Sequence, residues 1–173
     1  MKPRKLHYCL TTGLLLLLTV MAHAPRAGAQ IFVSSNDNTI WQFTSAGVGT
    51  LFASTGLNNP RGLAFDSLGR LYVANRGDQT ITRFDANGTP FLFAGIPLDF
   101  TQGLNEPVGL AFDSASSTLF VANRNGNTIG KFSTLGNGFQ TMTVFANTGL
   151  NRPFALASTT ASSTSPTTPT ARS

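Results

Sequence analysis

An all-β fold made of repeated units is what this sequence predicts, and three observations support it. A ten-residue motif recurs along the chain. Short apolar runs between its copies alternate with turns rich in Gly, Asn and Asp. Phe, Gly, Asn and Thr are abundant while charged residues make up only 11% of the chain. This composition, together with the regularly spaced turns, is typical of strands and hairpins rather than helices.

The motif sets the size of the unit. Residues Leu57–Asp66 read LNNPRGLAFD, residues Leu104–Asp113 read LNEPVGLAFD, and a third copy, LNRPFALA, begins at Leu150. The motif proline recurs after 47 and then 46 residues. A period in the forties is typical of the four-stranded blade of a β-propeller.

Each unit divides into strands by its turn residues. In the first complete unit Asx and Gly residues, able to adopt positive φ, separate four apolar or alternating segments. The second complete unit repeats this pattern, and the segment before the first unit matches strands two to four only. The predicted strands are Ile31–Ser34, Thr39–Phe43, Gly49–Ala53, Leu63–Phe65, Leu71–Ala74, Thr80–Phe84, Pro90–Ala94, Leu119–Asn123, Thr128–Phe132 and Met142–Ala146.

These segments predict an all-β partial β-propeller of about three four-stranded antiparallel blades, preceded by a signal helix near Leu10 to Ala22. One apolar residue set should fill the layer between blades, since stacked sheets lie about 10 Å apart. The set is Leu63, Phe65, Leu71, Val73, Ile81 and Phe84, with the equivalents Leu110, Phe112, Leu119, Val121, Ile129 and Phe132.

The string P-x-G-L-A-F-D-x-x-G-x-L-Y-V-A-N, followed by T-I-x-x-F-D-x-x-G, resembles the NHL repeat. The resemblance covers residues 31–157 in two full and two partial copies. It implies a circular propeller, usually of about six blades, closed by strands from both chain ends. The hairpin turn, Asn-Arg-Gly-Asp or Asn-Arg-Asn-Gly, departs from the family's usual Asp-Ser-Gly-Asn-His-Arg, so ligands of family members do not transfer.

Residues 1–29 have the layout of a secretory signal peptide. Lys2, Arg4 and Lys5 precede an apolar run from Leu14 to Val20, and small residues follow at cleavage spacing. The run is shorter than the roughly 20 residues that span a bilayer. We therefore predict export to an extracellular, periplasmic or cell-surface location, with no stable membrane insertion after cleavage.

Removing residues 1–29 takes away four of the 12 basic residues and none of the seven acidic ones, so the net charge falls from +5 to +1. The remainder has no clustered Lys/Arg stripe, and we expect no nucleic-acid partner. Its only Cys and both His residues, Cys9, His7 and His23, lie within the signal. The mature region therefore lacks thiolate and imidazole chemistry, and we predict no cofactor, metal or catalytic residues.

Three recurring residue types invite a functional interpretation. Asp66 and Asp113 are either metal ligands or caps of their own turns, and the capping role is favoured. Asn75 and Asn123 either line a pocket or begin hairpins in which Asn tolerates left-handed φ, and the hairpin role is favoured. The arginines near blade ends form either an anion-binding rim or solvated surface charge, and the role as solvated charge is favoured: Arg61, Arg76, Arg124 and Arg152.

Residues 158–173 are a Ser/Thr/Pro tail that interrupts the third motif copy. Such a tail is ordinarily a disordered linker or glycosylated stalk. Shifting the frame back one base from Ala157 permits Phe-Asp-Asn-Gly-Gln-Leu-Tyr-Val-Ala-Asn, the blade motif itself. We therefore expect frameshifted blade sequence, and we expect the open arc to be marginal, oligomeric or insoluble.

The predicted function is that of a non-catalytic binding or scaffold module outside the cytoplasm, residues 30–157, with an unknown protein, small-molecule or carbohydrate ligand. The alternative is a remnant of a propeller lactonase or lyase whose active-site residues lie in other blades. Lactonase-like propellers hold a divalent metal with acidic and Asn ligands and lyase-like ones use His, whereas Glu106 is the only Glu here.

Overall fold

The computed structural model describes residue 28, residues 30–95 and residues 103–159. Eleven antiparallel strands occur in this part of the chain, and no helix does. They are β1 (Ile31–Ser35), β2 (Thr39–Phe43), β3 (Gly49–Ala53), β4 (Pro60–Phe65), β5 (Leu71–Asn75), β6 (Thr80–Phe84), β7 (Pro90–Ala94), β8 (Pro107–Asp113), β9 (Thr118–Asn123), β10 (Thr128–Ser133) and β11 (Thr143–Ala146).

The strands form three sheets, which we number as blades 1 to 3. Blade 1 has the order β1-β2-β3, blade 2 the order β4-β5-β6-β7, and blade 3 the order β8-β9-β10-β11. The prediction of about three antiparallel blades, with a first blade lacking its first strand, is confirmed. The signal helix expected near Leu10 to Ala22 lies outside the described residues, as do positions 160–173 of the tail.

Apolar layers hold neighbouring blades together. Between blades 1 and 2, buried Ile40 packs with Leu71, Val73 and Phe84. Between blades 2 and 3, a larger layer contains Tyr72, Ala74, Ile81, Phe93, Leu110, Leu119, Val121 and Phe132. The second strand of blade 2, β5, thus presents alternate residues to the two neighbours, with Leu71 and Val73 towards blade 1 and Tyr72 and Ala74 towards blade 3, as the two-residue period of a strand requires.

The first strands of successive blades approach closely because the motif carries glycine. A Cβ added at Gly62 would collide with the backbone of Val108 and Leu110, and one at Gly109 would collide with the backbone of Phe154 and Ala155. Glycine therefore lets β4, β8 and the segment after Pro153 lie side by side. These three segments line a groove of about 410 Å³.

One core assignment is wrong. Phe65 is 42% exposed, although it was predicted to be buried. It packs edge-on against Phe32 at 4.9 Å, but it ends β4 where blade 1 has no first strand to cover it. Leu63 and Phe112 are half-buried, and the other predicted core residues are buried.

No helix in the described ranges has the length and apolar character needed to cross a membrane.

Candidate functional site

Arginines from two blades converge on one cavity at the blade ends. Arg61 lies on β4, Arg76 follows β5, and Arg124 follows β9. Together with Val108 and Phe154 they line a cavity of about 330 Å³. Because hairpins after second strands and starts of first strands lie at the same end of each blade, the fold brings these distant positions together. We call Arg61, Arg76, Arg124 and Glu106 the arginine rim.

Glu106 links the two blades within the rim. Its carboxylate accepts hydrogen bonds from the guanidinium of Arg76 at 2.7 Å and from that of Arg124 at 2.8 Å. These two bonds lower the pKa of Glu106 below its ordinary value. The carboxylate therefore stays ionised at neutral pH and is suited to positioning the arginines rather than to donating a proton.

Arg61 is the rim arginine that is hydrogen-bonded to an amide instead of a carboxylate. Its Nη1 donates to Asn36 Oδ1 at 2.9 Å, and Asn36 lies in the β1–β2 hairpin of blade 1. The rim carries three guanidinium groups and one carboxylate, so it keeps a net positive charge. A concave site of this kind favours an anionic ligand, and arginine matches the planar carboxylate group.

Phe154 adds an apolar wall to the same cavity. Its side chain is 65% exposed beside the arginines. A ligand that combines carboxylates with apolar groups therefore meets both kinds of surface there. Arg152, the fourth of the recurring arginines, is exposed and is absent from the lining of this cavity.

A repeated backbone hydrogen bond holds the rim in place between blades. The N–H of the residue before each motif proline donates to a side-chain amide oxygen in the preceding blade. All six residues have positive φ. The pairs are Asn59 with Asn38 at 2.7 Å, Glu106 with Gln79, and Arg152 with Asn127 at 2.7 Å. Glu106 is therefore fixed by its backbone at the point where its side chain reaches both arginines.

Sequence reasoning missed this bond. Its signal is an amide residue, Asn38, Gln79 or Asn127, at the last position of each hairpin turn, immediately before the third strand. Amide side chains tolerate left-handed φ and can accept a hydrogen bond from a neighbouring loop. Their recurrence at one repeat position was visible, but the donor residues became apparent only from the packing of the blades.

Asp66 and Asp113 stabilise their own turns. Asp66 Oδ1 accepts hydrogen bonds from the N–H groups of Leu68 and Arg70, both at 2.9 Å, and its Oδ2 pairs with Arg70 Nε at 2.6 Å. Burial tends to raise the pKa of Asp66, but these hydrogen bonds outweigh it and leave the pKa lowered. Asp113 similarly accepts a hydrogen bond from the Ala115 N–H at 3.0 Å.

Asn75 and Asn123 are structural, but for a different reason from the one predicted. Both end strands, and neither has positive φ. Their buried amides instead tie down the loop that precedes their own blade. Asn75 Nδ2 donates to Gly56 O at 3.2 Å, and Asn123 Nδ2 donates to Gly103 O at 3.1 Å.

Within the described ranges, no group of three or more His, Cys, Asp or Glu residues is placed to hold a metal ion.

Comparison with known proteins agrees with the fold. Residues 57–84 match the NHL repeat. Virginiamycin B lyase from Staphylococcus aureus is similar in structure, with a TM-score of 0.58 and 24% identity over 74% of this chain and 42% of that one. A structure of the nidogen/laminin complex is similar with a TM-score of 0.61 and 21% identity, over 75% of this chain and 48% of that one. Streptogramin B lyase is similar with a TM-score of 0.59 and 17% identity, over 75% of this chain and 41% of that one.

No curated protein is similar enough in sequence to count as a relative. The chain spans less than half the length of these solved structures, and identities this low establish the fold alone. The matched segment at residues 57–84 covers β4, β5 and β6, the first three strands of blade 2. The chain is therefore a partial β-propeller that carries an NHL repeat, with three blades in its described part.

Proposed function

We propose that this chain is a non-catalytic protein-binding module that acts outside the cytoplasm. In this proposal acidic side chains of a partner protein bind at the arginine rim. The observation that carries the proposal is the convergence of three arginines on a single cavity, two of which are paired with the carboxylate of Glu106. The signal-like residues 1–29 support the location.

Two further features support binding rather than catalysis. The ionised Glu106 is held between two arginines and lacks the raised pKa that a general acid requires. The similarity to a protein solved as a nidogen/laminin complex supplies a propeller of the same fold in a protein–protein assembly. The lyases share the fold at 24% and 17% identity, and identities this low carry no lyase activity to this chain. The lyase-type alternative requires active-site residues that the arginine rim does not supply.

The test uses a fluorescein-labelled oligoglutamate peptide and fluorescence anisotropy. Arg61→Gln removes one rim charge and leaves both Glu106 ion pairs intact. We expect it to weaken binding about fivefold, since one exposed charge contact contributes about 1 kcal/mol. Added salt should weaken binding by the wild-type protein through screening.

Arg83→Gln is the matched control. Arg83 lies on β6 and stacks over Phe91 at 4.6 Å, on a strand pair remote from the first strands. It removes the same charge without touching the rim, so its affinity for the peptide should equal that of the wild type. Equal losses in both variants would show that net charge alone attracts the peptide and would refute the rim as a site.

A further inference from the structure

The loop between β10 and β11 crosses from blade 3 onto blade 2. It comprises residues 134–142 and is anchored on blade 2 at two points. Arg70 Nη2 donates a hydrogen bond to Thr134 O at 3.1 Å, and the Gln140 N–H donates to Phe93 O at 2.7 Å. Between these anchors the loop belongs to no strand, so its backbone is held less firmly there than in the sheets on either side.

Asn137 lies between the two anchors and faces two arginines of blade 2. Its Oδ1 accepts a hydrogen bond from Arg70 Nη1 at 3.3 Å, and its backbone O accepts one from Arg83 Nη2 at 3.5 Å. Arg70 is already paired with Asp66 at 2.6 Å. Within the described ranges, Arg83 is paired with no carboxylate, and its buried Nη1 has no hydrogen-bond partner. An excess positive charge therefore faces a neutral residue.

Asn137 is followed by glycine, and this pair of residues has a chemistry of its own. The backbone nitrogen of a residue that follows asparagine can attack the side-chain carbonyl carbon and close a five-membered succinimide ring. Glycine permits the attack best because it has no Cβ and its backbone rotates freely. Three such pairs occur in the sequence: Asn87–Gly88, Asn125–Gly126 and Asn137–Gly138. The structure distinguishes them by how firmly each glycine is held.

Two of the pairs are held in tight turns between paired strands. At Asn87–Gly88 the glycine N–H donates a hydrogen bond to Asp85 O at 3.1 Å, so the attacking nitrogen is engaged. Asn125–Gly126 lies in a four-residue hairpin loop whose ends, Asn123 and Thr128, are paired with each other. Ring closure in either turn requires the hairpin to distort.

The third pair, Asn137–Gly138, is free of both constraints. Within the described part of the chain the Gly138 N–H makes no hydrogen bond, and both residues are exposed. A Cβ added at Gly138 would meet no atom within 4 Å, so the backbone there has room to rotate. The hydrogen bond from Arg70 to Asn137 Oδ1 also draws electron density from the carbon that is attacked.

We propose that Asn137 is a site of spontaneous deamidation in the folded protein and that the arginines of blade 2 hold the products. Hydroxide removes the proton of the Gly138 nitrogen, which bonds to Asn137 Cγ. The Cγ–Nδ2 bond breaks, and Nδ2 leaves as ammonia after taking up a proton from water. A second water molecule then opens the succinimide ring by adding to one of its two carbonyl carbons.

Both directions of ring opening place a carboxylate at an arginine. Addition of water at Cγ gives an aspartate, whose carboxylate keeps the oxygen that faces Arg70. Addition at the backbone carbonyl carbon gives an isoaspartate, whose free carboxylate contains the former backbone oxygen that faces Arg83. Hydrogen bonds between guanidinium and carboxylate groups are stronger than those to neutral oxygens. Deamidation therefore replaces neutral contacts between blades 2 and 3 with ion pairs.

Mass spectrometry of the aged protein tests the site. After incubation at mildly alkaline pH, trypsin separates the three Asn-Gly pairs into the peptides 84–124, 125–131 and 132–152. The peptide 132–152 should gain the mass difference between an amide and a carboxyl group, located at Asn137 by fragmentation. We expect this gain to be about tenfold faster than in the other two peptides, the rate factor to which one hydrogen bond corresponds.

Two controls show whether the fold causes the difference. In concentrated urea all three pairs should react at similar rates, because the unfolded chain leaves only the shared Asn-Gly sequence. Gly138→Ala should slow the reaction at Asn137 to the rate of the other two pairs, and the open space around Gly138 accommodates the added methyl group. Equal rates of the three pairs in the folded protein, or a faster reaction at Asn87 or Asn125, would overturn the proposal.

Urea unfolding of Asn137→Asp tests whether the arginines hold the product. This variant carries the aspartate product from the start, and its urea midpoint at neutral pH should exceed that of the wild type. The gain should be smaller in an Arg83→Gln background, where one of the two guanidinium groups is missing. Asn87→Asp, in an exposed turn, is the matched charge control and should give no gain. A midpoint of Asn137→Asp no higher than that of Asn87→Asp would refute the ion pairs between the blades.

Discussion

The buried amide of Asn75 provides the sharpest test of how the blades are built. Its Nδ2 donates to Gly56 O at 3.2 Å, to Thr80 Oγ1 at 3.1 Å and to Thr82 Oγ1 at 2.9 Å. Its Oδ1 accepts a hydrogen bond from the Asn58 N–H at 3.2 Å. The residue is 1% exposed, so water cannot replace these bonds. A structural role for this amide requires a large loss of stability when it is removed.

Asn75→Ala should lower the free energy of unfolding by about 2 kcal/mol. The part-buried Asn58 N–H loses its partner, at a cost near the lower end of the roughly 1–3 kcal/mol for an unsatisfied buried donor. Gly56 O keeps a hydrogen bond from Thr82 Oγ1 at 2.8 Å, so the remaining loss is that of the amide's own bonds, about 1 kcal/mol.

Urea unfolding followed by circular dichroism measures this change. Asn87→Ala is the control, since Asn87 is an exposed turn residue and its replacement should change the stability by less than about 0.5 kcal/mol. A loss below about 1 kcal/mol for Asn75→Ala would refute the structural role of the amide.

Two further predictions concern the core and pH. Phe93→Ala should cost about 3–5 kcal/mol because Phe93 is fully buried, whereas Phe65→Ala should cost about 1–2 kcal/mol because Phe65 is 42% exposed; equal costs in urea unfolding would contradict the assigned packing. The lowered pKa values of Asp66 and Glu106 contribute stability that is complete above the unfolded pKa values, near 4, and is lost as the pH falls through the folded ones. The urea midpoint should therefore drop below about pH 4, and this drop should be smaller in Asp66→Asn; an identical drop in that variant would contradict the role of Asp66.

Strand positions followed from local chemistry and were predicted closely. The predicted bounds are exact for four strands, β2, β3, β6 and β7, because turns that contain Gly or Asx residues lie next to each of them. The bounds of β4 differ: it begins at Pro60 rather than Leu63. Pairing with Asn75 extends it across a register shift, and this partner is not visible in the local pattern.

Errors arose where a residue depends on a neighbouring blade. Phe65 has the same motif position as Phe112, but nothing in its own unit shows that blade 1 leaves it uncovered. Asn75 was assigned to a turn because Asn tolerates positive φ, whereas its side chain is held by the loop preceding the blade. Local propensity identified the correct residue, and tertiary contacts decided what it does.

The candidate site was foreseen only as a set of charges. The recurring arginines suggested a rim only as the less favoured alternative to solvated surface charge, and the structure brings three of the four to one cavity. The role of Glu106 was not predicted, because Arg76 and Arg124 lie 30 and 18 residues away along the chain. These side chains meet only because blade 3 packs on blade 2. The short distance between them in space follows from the fold rather than from the motif.

The affinity of Glu106→Gln for the oligoglutamate peptide tests the account of the arginine rim most directly. This variant removes the carboxylate that is paired with Arg76 and Arg124, which frees both guanidinium groups and leaves the amide as an acceptor. We predict tighter binding, by about fivefold, in contrast to the weaker binding of Arg61→Gln. Unchanged or weaker binding by a folded Glu106→Gln protein would contradict an anion site at the rim.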